Sequence, residues 1–209
     1  MIQKTFVVGP LQCNCTLLAC EKTREGVLID PGDEAPRLIS ELQKAGVTIK
    51  YLLHTHAHFD HIGATGGLKT HTGAQICLHQ GDQFIYEMLP AQGQMFGVTF
   101  QAAPPVDHFL KDEEVLRFGE HSLQVIHTPG HSPGGVCFKL TSGEESVFSG
   151  DSLFQGSIGR TDLWGGDYEL LIGSIKKRLM VLNDDILVVP GHGPQTLIGK
   201  EKRTNPFLN

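Results

Sequence analysis

Between Leu53 and Gly63 the chain reads LHTHAHFDHIG, which puts His54, His56, His58, Asp60 and His61 within one short stretch. Neutral imidazoles this close together gain little from burial, and protonated ones repel, so packing alone is a poor reason to place them there. Imidazole nitrogens and a carboxylate are the donors that divalent transition metals take. Side chains two apart on an extended chain point the same way, so His56 and His58 can grip one ion. Asp60 and His61 lie where the chain should turn into a helix and can aim at a second position.

Three more patches share one form, a strand followed by a sharp glycine-containing turn and a metal-capable residue: Thr128-Pro-Gly-His131, Ser149-Gly-Asp151 and Pro190-Gly-His192. Loops at strand ends are where a rigid sheet presents chemistry. With the cluster they give seven candidate ligands: His56, His58, Asp60, His61, His131, Asp151 and His192. That is too many for one tetrahedral ion and suits two divalent ions. The expected division gives His56, His58 and His131 to the first ion and Asp60, His61 and His192 to the second. Asp151 bridges, since a carboxylate has two oxygens. A shared water, its pKa lowered from ~15.7 toward ~7 by ions about 3.5–4 Å apart, would then hydrolyse a polarised carbonyl without a protein nucleophile. Asp60 is expected to act catalytically as well, by orienting that hydroxide. His54 and His127 are left open as shifted-register ligands or supporting partners. His71, His79, His108 and His121 read as surface or satisfied core residues. Gly130-His-Ser132-Pro-Gly134 matches the serine nucleophile pattern G-x-S-x-G, but that pattern needs a helix directly after the serine. Here Pro133-Gly134-Gly135 leads into the strand-like Val136-Cys137-Phe138, which excludes it.

The elements that must carry these residues follow from periodicity. Thr5–Val8, Cys15–Cys20 and Gly26–Ile29 read as strands, each ending at Gly, Pro or charge. Leu38, Ile39, Leu42 and Ala45 repeat at helical spacing up to Gly46, and a strand at Ile49–Leu53 delivers the chain to the histidines. A helix through Leu68, a strand at Gln75–Leu78 and a looser segment over Gly81–Gly97 come next. Val115–Phe118 with Leu123–His127, and Val136–Leu140 with Ser146–Phe148, read as hairpins turning at Gly119-Glu120 and near Ser142-Gly143. A helix over Tyr168–Leu179, a strand at Ile186–Val189 and a helix near Leu197–Lys202 complete the chain. Two β-rich halves, each closed by helices, imply two sheets packed face to face with helices outside.

The chain has 209 residues, 40% hydrophobic and 19% charged, which fits a single globular domain spanning residues 1–209. Its net charge of −6 argues against nucleic acid as the main partner, because phosphate binding needs a basic footprint. No apolar run reaches the roughly 20 residues of a membrane span, and the start lacks a secretory pattern. Cys13, Cys15, Cys20, Cys77 and Cys137 are odd in number and scattered, which reads as reduced cysteines in a cytoplasmic protein.

Taken together, Thr55–His61 (THAHFDH), Thr128–Gly134 (TPGHSPG), Ser149–Phe154 (SGDSLF) and Pro190–Pro194 (PGHGP), with Asn14–Leu17 and Leu28–Gly32, resemble the metallo-β-lactamase superfamily nearly end to end. The resemblance implies an α+β fold, a four-layer αβ/βα sandwich with a dinuclear site at one edge. Leu89–Gly97, Gly159–Asp162, Gly166-Asp167 and Asn205–Leu208 are similar to the short bacterial hydroxyacylglutathione hydrolases of the glyoxalase II-like branch. That branch implies hydrolysis of a glutathione thioester such as S-lactoylglutathione, and His and Asp ligands accept zinc first, or iron or manganese. The larger enzymes of the branch have a helical C-terminal domain with basic glutathione contacts, and a Lys and Tyr after the bridging Asp. This chain has no room for the first and reads Arg160-Thr161-Asp162 at the second. Arg160 could anchor a glutathione carboxylate or pair with Asp162 or Asp167 and brace the loop, and Met95 and Phe96 are candidate pocket walls. The resemblance also reaches mononuclear-iron persulfide dioxygenases, which would use His56, His131 and Asp151. Lactone or small-ester hydrolysis would need only the same hydroxide. True β-lactamases are disfavoured, because they usually lack the last His of H-x-H-x-D-H as a ligand and are exported.

Overall fold

The computed structural model describes residues 1–143 and 145–209. The first sheet takes β1 (Ile2–Val8), β2 (Cys13–Ala19), β3 (Glu25–Ile29), β4 (Thr48–Leu53), β5 (Gln75–His79) and β6 (His108–Leu110), in that order. β1 to β3 are antiparallel, and β3 to β6 are parallel. Parallel neighbours need crossovers, and helices supply them. α1 (Ala35–Ala45) joins β3 to β4, α2 (Phe59–Ile62) and α3 (Thr65–Thr72) join β4 to β5, and α4 (Gln83–Glu87) and α5 (Leu89–Met95) precede β6. α1 stops where the sequence reading places its end. Gly46 takes φ 61° and its N–H turns back to Gln43 O and Leu42 O.

The second sheet runs β14 (Thr196–Leu197), β13 (Leu187–Pro190), β10 (Ser146–Gly150), β9 (Val136–Leu140), β8 (His121–His127) and β7 (Val115–Phe118). A two-stranded ribbon, β11 (Leu153–Phe154) with β12 (Ser157–Ile158), follows β10. α6 (Tyr168–Ser174) continues as a π turn over Ile175–Leu179, and α7 (Ile198–Thr204) closes the chain.

Alternation along the strands divides the apolar side chains among three cores. Leu18, Val27, Leu53, Phe118, Val125, Phe138, Phe148 and Val189 fill the space between the sheets. Leu17, Leu28, Leu52 and Ile76 face the other way, onto Leu38 and Leu42 of α1 and Leu68 of α3. Ile126, Val147 and Val188 pack on Leu171, Ile175 and Leu179. Three cores require four layers, and the molecule is the α/β/β/α sandwich of the sequence reading.

Several elements depart from that reading. Gly81–Gly97 is mostly helical, as α4 and α5, because Ile85, Tyr86 and Leu89 bury against the first sheet's helical face. β6 and the β11–β12 ribbon were not foreseen. Each is two or three residues long, shorter than any alternating pattern can signal. α7 starts one residue later and runs two residues further than expected.

Topology decides where the site forms. β9 is antiparallel to both β8 and β10, and β13 is parallel to β10, so β8, β10 and β13 all run in one direction. Their C-terminal ends therefore share one edge, and the loops carrying His131, Asp151 and His192 emerge there. β4 delivers the histidine loop from the other sheet, and Val136 N donates to Thr55 O across the gap at 2.8 Å.

Candidate metal centre

In the loop after β4, alternate residues are held and the others are free. Thr55 N and Oγ1 each donate to the Asp30 carboxylate at 2.7 Å. Ala57 N donates to Asp82 Oδ2 at 3.0 Å, Ala57 O accepts from Gln92 Nε2 at 3.0 Å, and Phe59 N donates to Gln92 Oε1 at 3.0 Å. All three clamping side chains are buried. Pinning Thr55, Ala57 and Phe59 on one side leaves His56, His58 and Asp60 pointing to the other.

Each imidazole but one is tied at Nδ1. His131 Nδ1 donates to Arg160 O at 2.7 Å, His192 Nδ1 to Leu11 O at 2.9 Å, and His61 Nδ1 to Asp30 Oδ2 at 3.0 Å. Thr55 Oγ1 gives its own proton to Asp30, so His56 Nδ1 donates to it at 3.1 Å. These partners fix the tautomer and leave the Nε2 lone pairs facing inward. His58 is reversed, with Nδ1 inward.

Inward-facing nitrogens then meet one another. His131 Nε2 lies 3.2 Å from His56 Nε2 and 2.9 Å from His58 Nδ1, and His61 Nε2 lies 3.1 Å from His192 Nε2. Asp60 Oδ2 is 3.1 Å from His192 Nε2 and 3.7 Å from His61 Nε2. Asp151 stands between the groups. Its Oδ2 is 3.7 Å from both His131 Nε2 and His192 Nε2, and its Oδ1 is 3.4 Å from His61 Nε2. His56, His58 and His131 form one compact triad, Asp60, His61 and His192 another, and His56, His61 and Asp151 a third that links them.

Lone pairs aimed at lone pairs repel unless a proton or a metal cation lies among them. Asp151 Oδ1 is buried and has no hydrogen-bond partner among the described residues, although every such oxygen carries a desolvation penalty when left alone. The donor set therefore fits divalent cations. Titration behaviour agrees. Burial, reinforced by the neighbouring rings, holds His56 well below the ordinary imidazole value and pushes His58 down to about 3. Burial also opposes charge on His61, but Cys13, Asp151, Asp60 and Asp30 around it outweigh burial and raise it well above the usual range. Burial works against ionising Asp60, yet His61 and His192 hold its carboxyl far down. One half of the site takes neutral donors, and the other gathers carboxylates that attract positive charge.

Close approach explains the glycines. A Cβ on Gly191 would overlap Asp151 Oδ1 and lie 2.7 Å from His61 Cε1. Asn14 holds the same turn. Its backbone N–H donates to Gly191 O at 2.7 Å, and its side chain to Pro190 O at 2.9 Å and Gly193 O at 3.0 Å.

The centre opens into a cavity of about 320 Å³, lined by His58, Asp60, Asp151 and His192 and walled by Phe59, Phe96, Leu163 and Trp164. Phe96 lines it, stacked on Phe59 with ring centroids 4.7 Å apart. Met95 does not. Its side chain is exposed beyond the rim. Arg160 also lines the cavity, but its guanidinium is bidentate on Asp162, at 2.7 and 2.8 Å. Asp167 caps α6 through Leu170 N, so of the two loop partners considered for Arg160 it is Asp162 that engages.

The two open histidines stay outside the triads. His54 is fully buried with Nε2 3.3 Å from Thr65 Oγ1. His127 Nε2 donates to Pro133 O at 3.1 Å and its ring stacks on His79. His71, His108 and His121 bond to Gln43, Glu114 and Ser142, away from the centre. Ser132 Oγ donates to Asp82 Oδ2 at 2.7 Å and is buried, and β9 rather than a helix follows it, so it is no nucleophile. The five cysteines are unpaired and buried. Among the described residues, no helix is long and apolar enough to cross a membrane.

Sequence reasoning missed Asp30, Asp82, Gln92 and Trp164. Asp30 had a signal: an aspartate directly after the apolar run Val27–Ile29 is costly there unless it has partners. Gln92 lies in the segment read as loose.

Known proteins resemble this chain along most of its length. The family model of the metallo-beta-lactamase superfamily matches residues 8–192. The chain is 44% identical to hydroxyacylglutathione hydrolase GloC of Haemophilus influenzae, over 97% of this chain and 95% of that one. Among solved structures it is similar to BLEG-1 B3 metallo-beta-lactamase (TM-score 0.92, 41% identity, all of both chains). It is also similar to TTHA1623 in a di-iron-bound form (TM-score 0.89, 42% identity, 98% of this chain and 100% of that one).

Proposed function

Because this chain belongs to the metallo-β-lactamase superfamily and is a metallo-hydrolase, we propose that it hydrolyses a glutathione thioester of a 2-hydroxy acid, S-lactoylglutathione or a close analogue. The observation that carries the reading is the pair of triads joined at Asp151, in a chain 44% identical to a hydroxyacylglutathione hydrolase. His56, His58 and His131 would hold one ion, Asp60, His61 and His192 the other, and Asp151 both. Two divalent ions, zinc first and iron or manganese as alternatives, would supply Lewis acidity and an ionised water near neutral pH.

The chain's own residues do the rest. Asp30, Leu11 O and Arg160 O fix the imidazoles, so no reorganisation is needed as charge develops. Phe59, Phe96, Leu163 and Trp164 exclude water from one side and offer an apolar wall to the acyl and thiol arms. Asp60 lines the cavity and would orient the attacking oxygen. A thiol ionises near ~8.5, so the leaving group departs without a strong general acid. This suits a cavity whose lining holds no lysine or tyrosine.

A second reading, the mononuclear-iron persulfide dioxygenase, would use His56, His131 and Asp151; the related TTHA1623 does hold iron, but as a pair. That reading leaves His58, Asp60, His61 and His192 without a task. The test is a panel of three substrates. Hydrolysis of S-lactoylglutathione without oxygen is the expected result. Oxygen uptake with glutathione persulfide and no thioester turnover would move the assignment to the dioxygenase. Turnover of a β-lactam alone would move it to BLEG-1's activity.

A further inference from the structure

We infer that Asp82 is a positioning residue for the first ion alone, acting as the joint that holds its three ligands in one geometry. The ligand assignment above is the premise. Asp82 lies at the start of α4, fully buried, and among the described residues hydrogen-bonds to no proposed ligand side chain. It receives three bonds from two loops. Ala57 N donates to Oδ2 at 3.0 Å, Ser132 Oγ to Oδ2 at 2.7 Å, and Gly134 N to Oδ1 at 2.5 Å. Ala57 lies between His56 and His58, while Ser132 and Gly134 lie one and three residues after His131. One carboxylate thus fastens the loop from the first sheet to the loop from the second, at the chain positions flanking all three first-ion ligands.

The second ion has different anchors. His61 is held by Asp30, and His192 by Leu11 O. Neither bond runs through Asp82. The approach is tight enough that a Cβ on Gly134 would lie 2.5 Å from Asp82 N and 2.8 Å from its Cγ, so no larger residue fits at the joint. A neutral hydrophobe could fill this space, but only an acceptor on both oxygens satisfies three converging donors.

Asp82→Asn keeps the volume and replaces one acceptor with a donor facing N–H groups. The experiment places it on two parents that each keep one ion: His192→Ala, which retains the first site, and His131→Ala, which retains the second. Zinc affinity is measured by competition with a chelator. On His192→Ala the substitution is expected to weaken zinc roughly 10- to 100-fold, the range for residues that orient ligands. On His131→Ala it should leave zinc affinity unchanged within twofold. Ser132→Ala, which removes one of the three donors and leaves both backbone bonds, should show the same selectivity with a smaller effect, and it serves if Asp82→Asn does not fold. Equal weakening on both parents, or none on either, would overturn the proposal by making Asp82 a general support or no support. Parents that each still bind two zinc ions would overturn the two-ion reading itself, and the proposal with it.

Discussion

At the residue scale, the centre depends on which nitrogen of each imidazole carries the proton. Asp30 sets this for His61 directly and for His56 through Thr55. Asp30→Asn would preserve shape but offer an N–H where an acceptor is needed. It should weaken metal binding by about 10- to 100-fold, read by chelator competition, and unchanged affinity would show that tautomer control is unimportant here. His54 gives a second prediction. Burial pushes it down to about 4, so the unfolded chain takes up its proton more readily than the folded one. Its contribution to stability is present above pH ~6.5 and is lost as pH falls toward 4, at up to about 1.4 kcal/mol per pH unit. Urea unfolding from pH 7 to 4.5 should show a shallower pH slope for His54→Gln than for the wild type. Parallel slopes would rule that histidine out as the source.

At the element scale, the turns after strands matter more than the strands. Gly150 ends β10 at φ 48°, and a Cβ there would overlap Thr55 Oγ1 and lie 2.5 Å from Thr55 Cβ. Gly150→Ala should cost about 1–3 kcal/mol, which for a chain of this length lowers Tm by a few degrees or more in calorimetry. An unchanged Tm would mean that the turn relaxes freely. The motif residues were legible in the sequence because four crowd into one loop and His131, Asp151 and His192 each follow a strand-and-glycine signal. What supports them was not. Asp82 and Gln92 meet the histidine loop 25 and 33 residues away in sequence, through side chain to backbone bonds that leave no periodic trace. α4 and α5 were read as loose because neither is long enough to repeat an apolar stripe. Met95 was taken as a pocket wall from its neighbourhood, and the turn at the end of α5 sends Phe96 inward instead.

At the scale of the whole molecule, the candidate ligands come from both halves of the sandwich. β4 supplies His56, His58, Asp60 and His61, and β8, β10 and β13 supply the others. Two bound cations would therefore staple sheet to sheet at one edge, binding the folded chain and not the unfolded one. Each would add about 2.7 kcal/mol at a free concentration one hundred times its Kd. Removing metal with a chelator should lower Tm by at least about 5 °C, and restoring zinc should recover it. A Tm indifferent to metal would deny the stapling. The layered fold was legible from the sequence because strand alternation and helical spacing act locally. The meeting of the four loops follows from strand direction, which no local pattern encodes.

The most direct test of the central claim is elemental analysis of the protein beside an anaerobic assay on S-lactoylglutathione, before and after metal removal. The account predicts close to two divalent ions per chain, hydrolysis without oxygen, loss of both on chelation and return of both on adding metal back. Full hydrolysis by a metal-free preparation would contradict it.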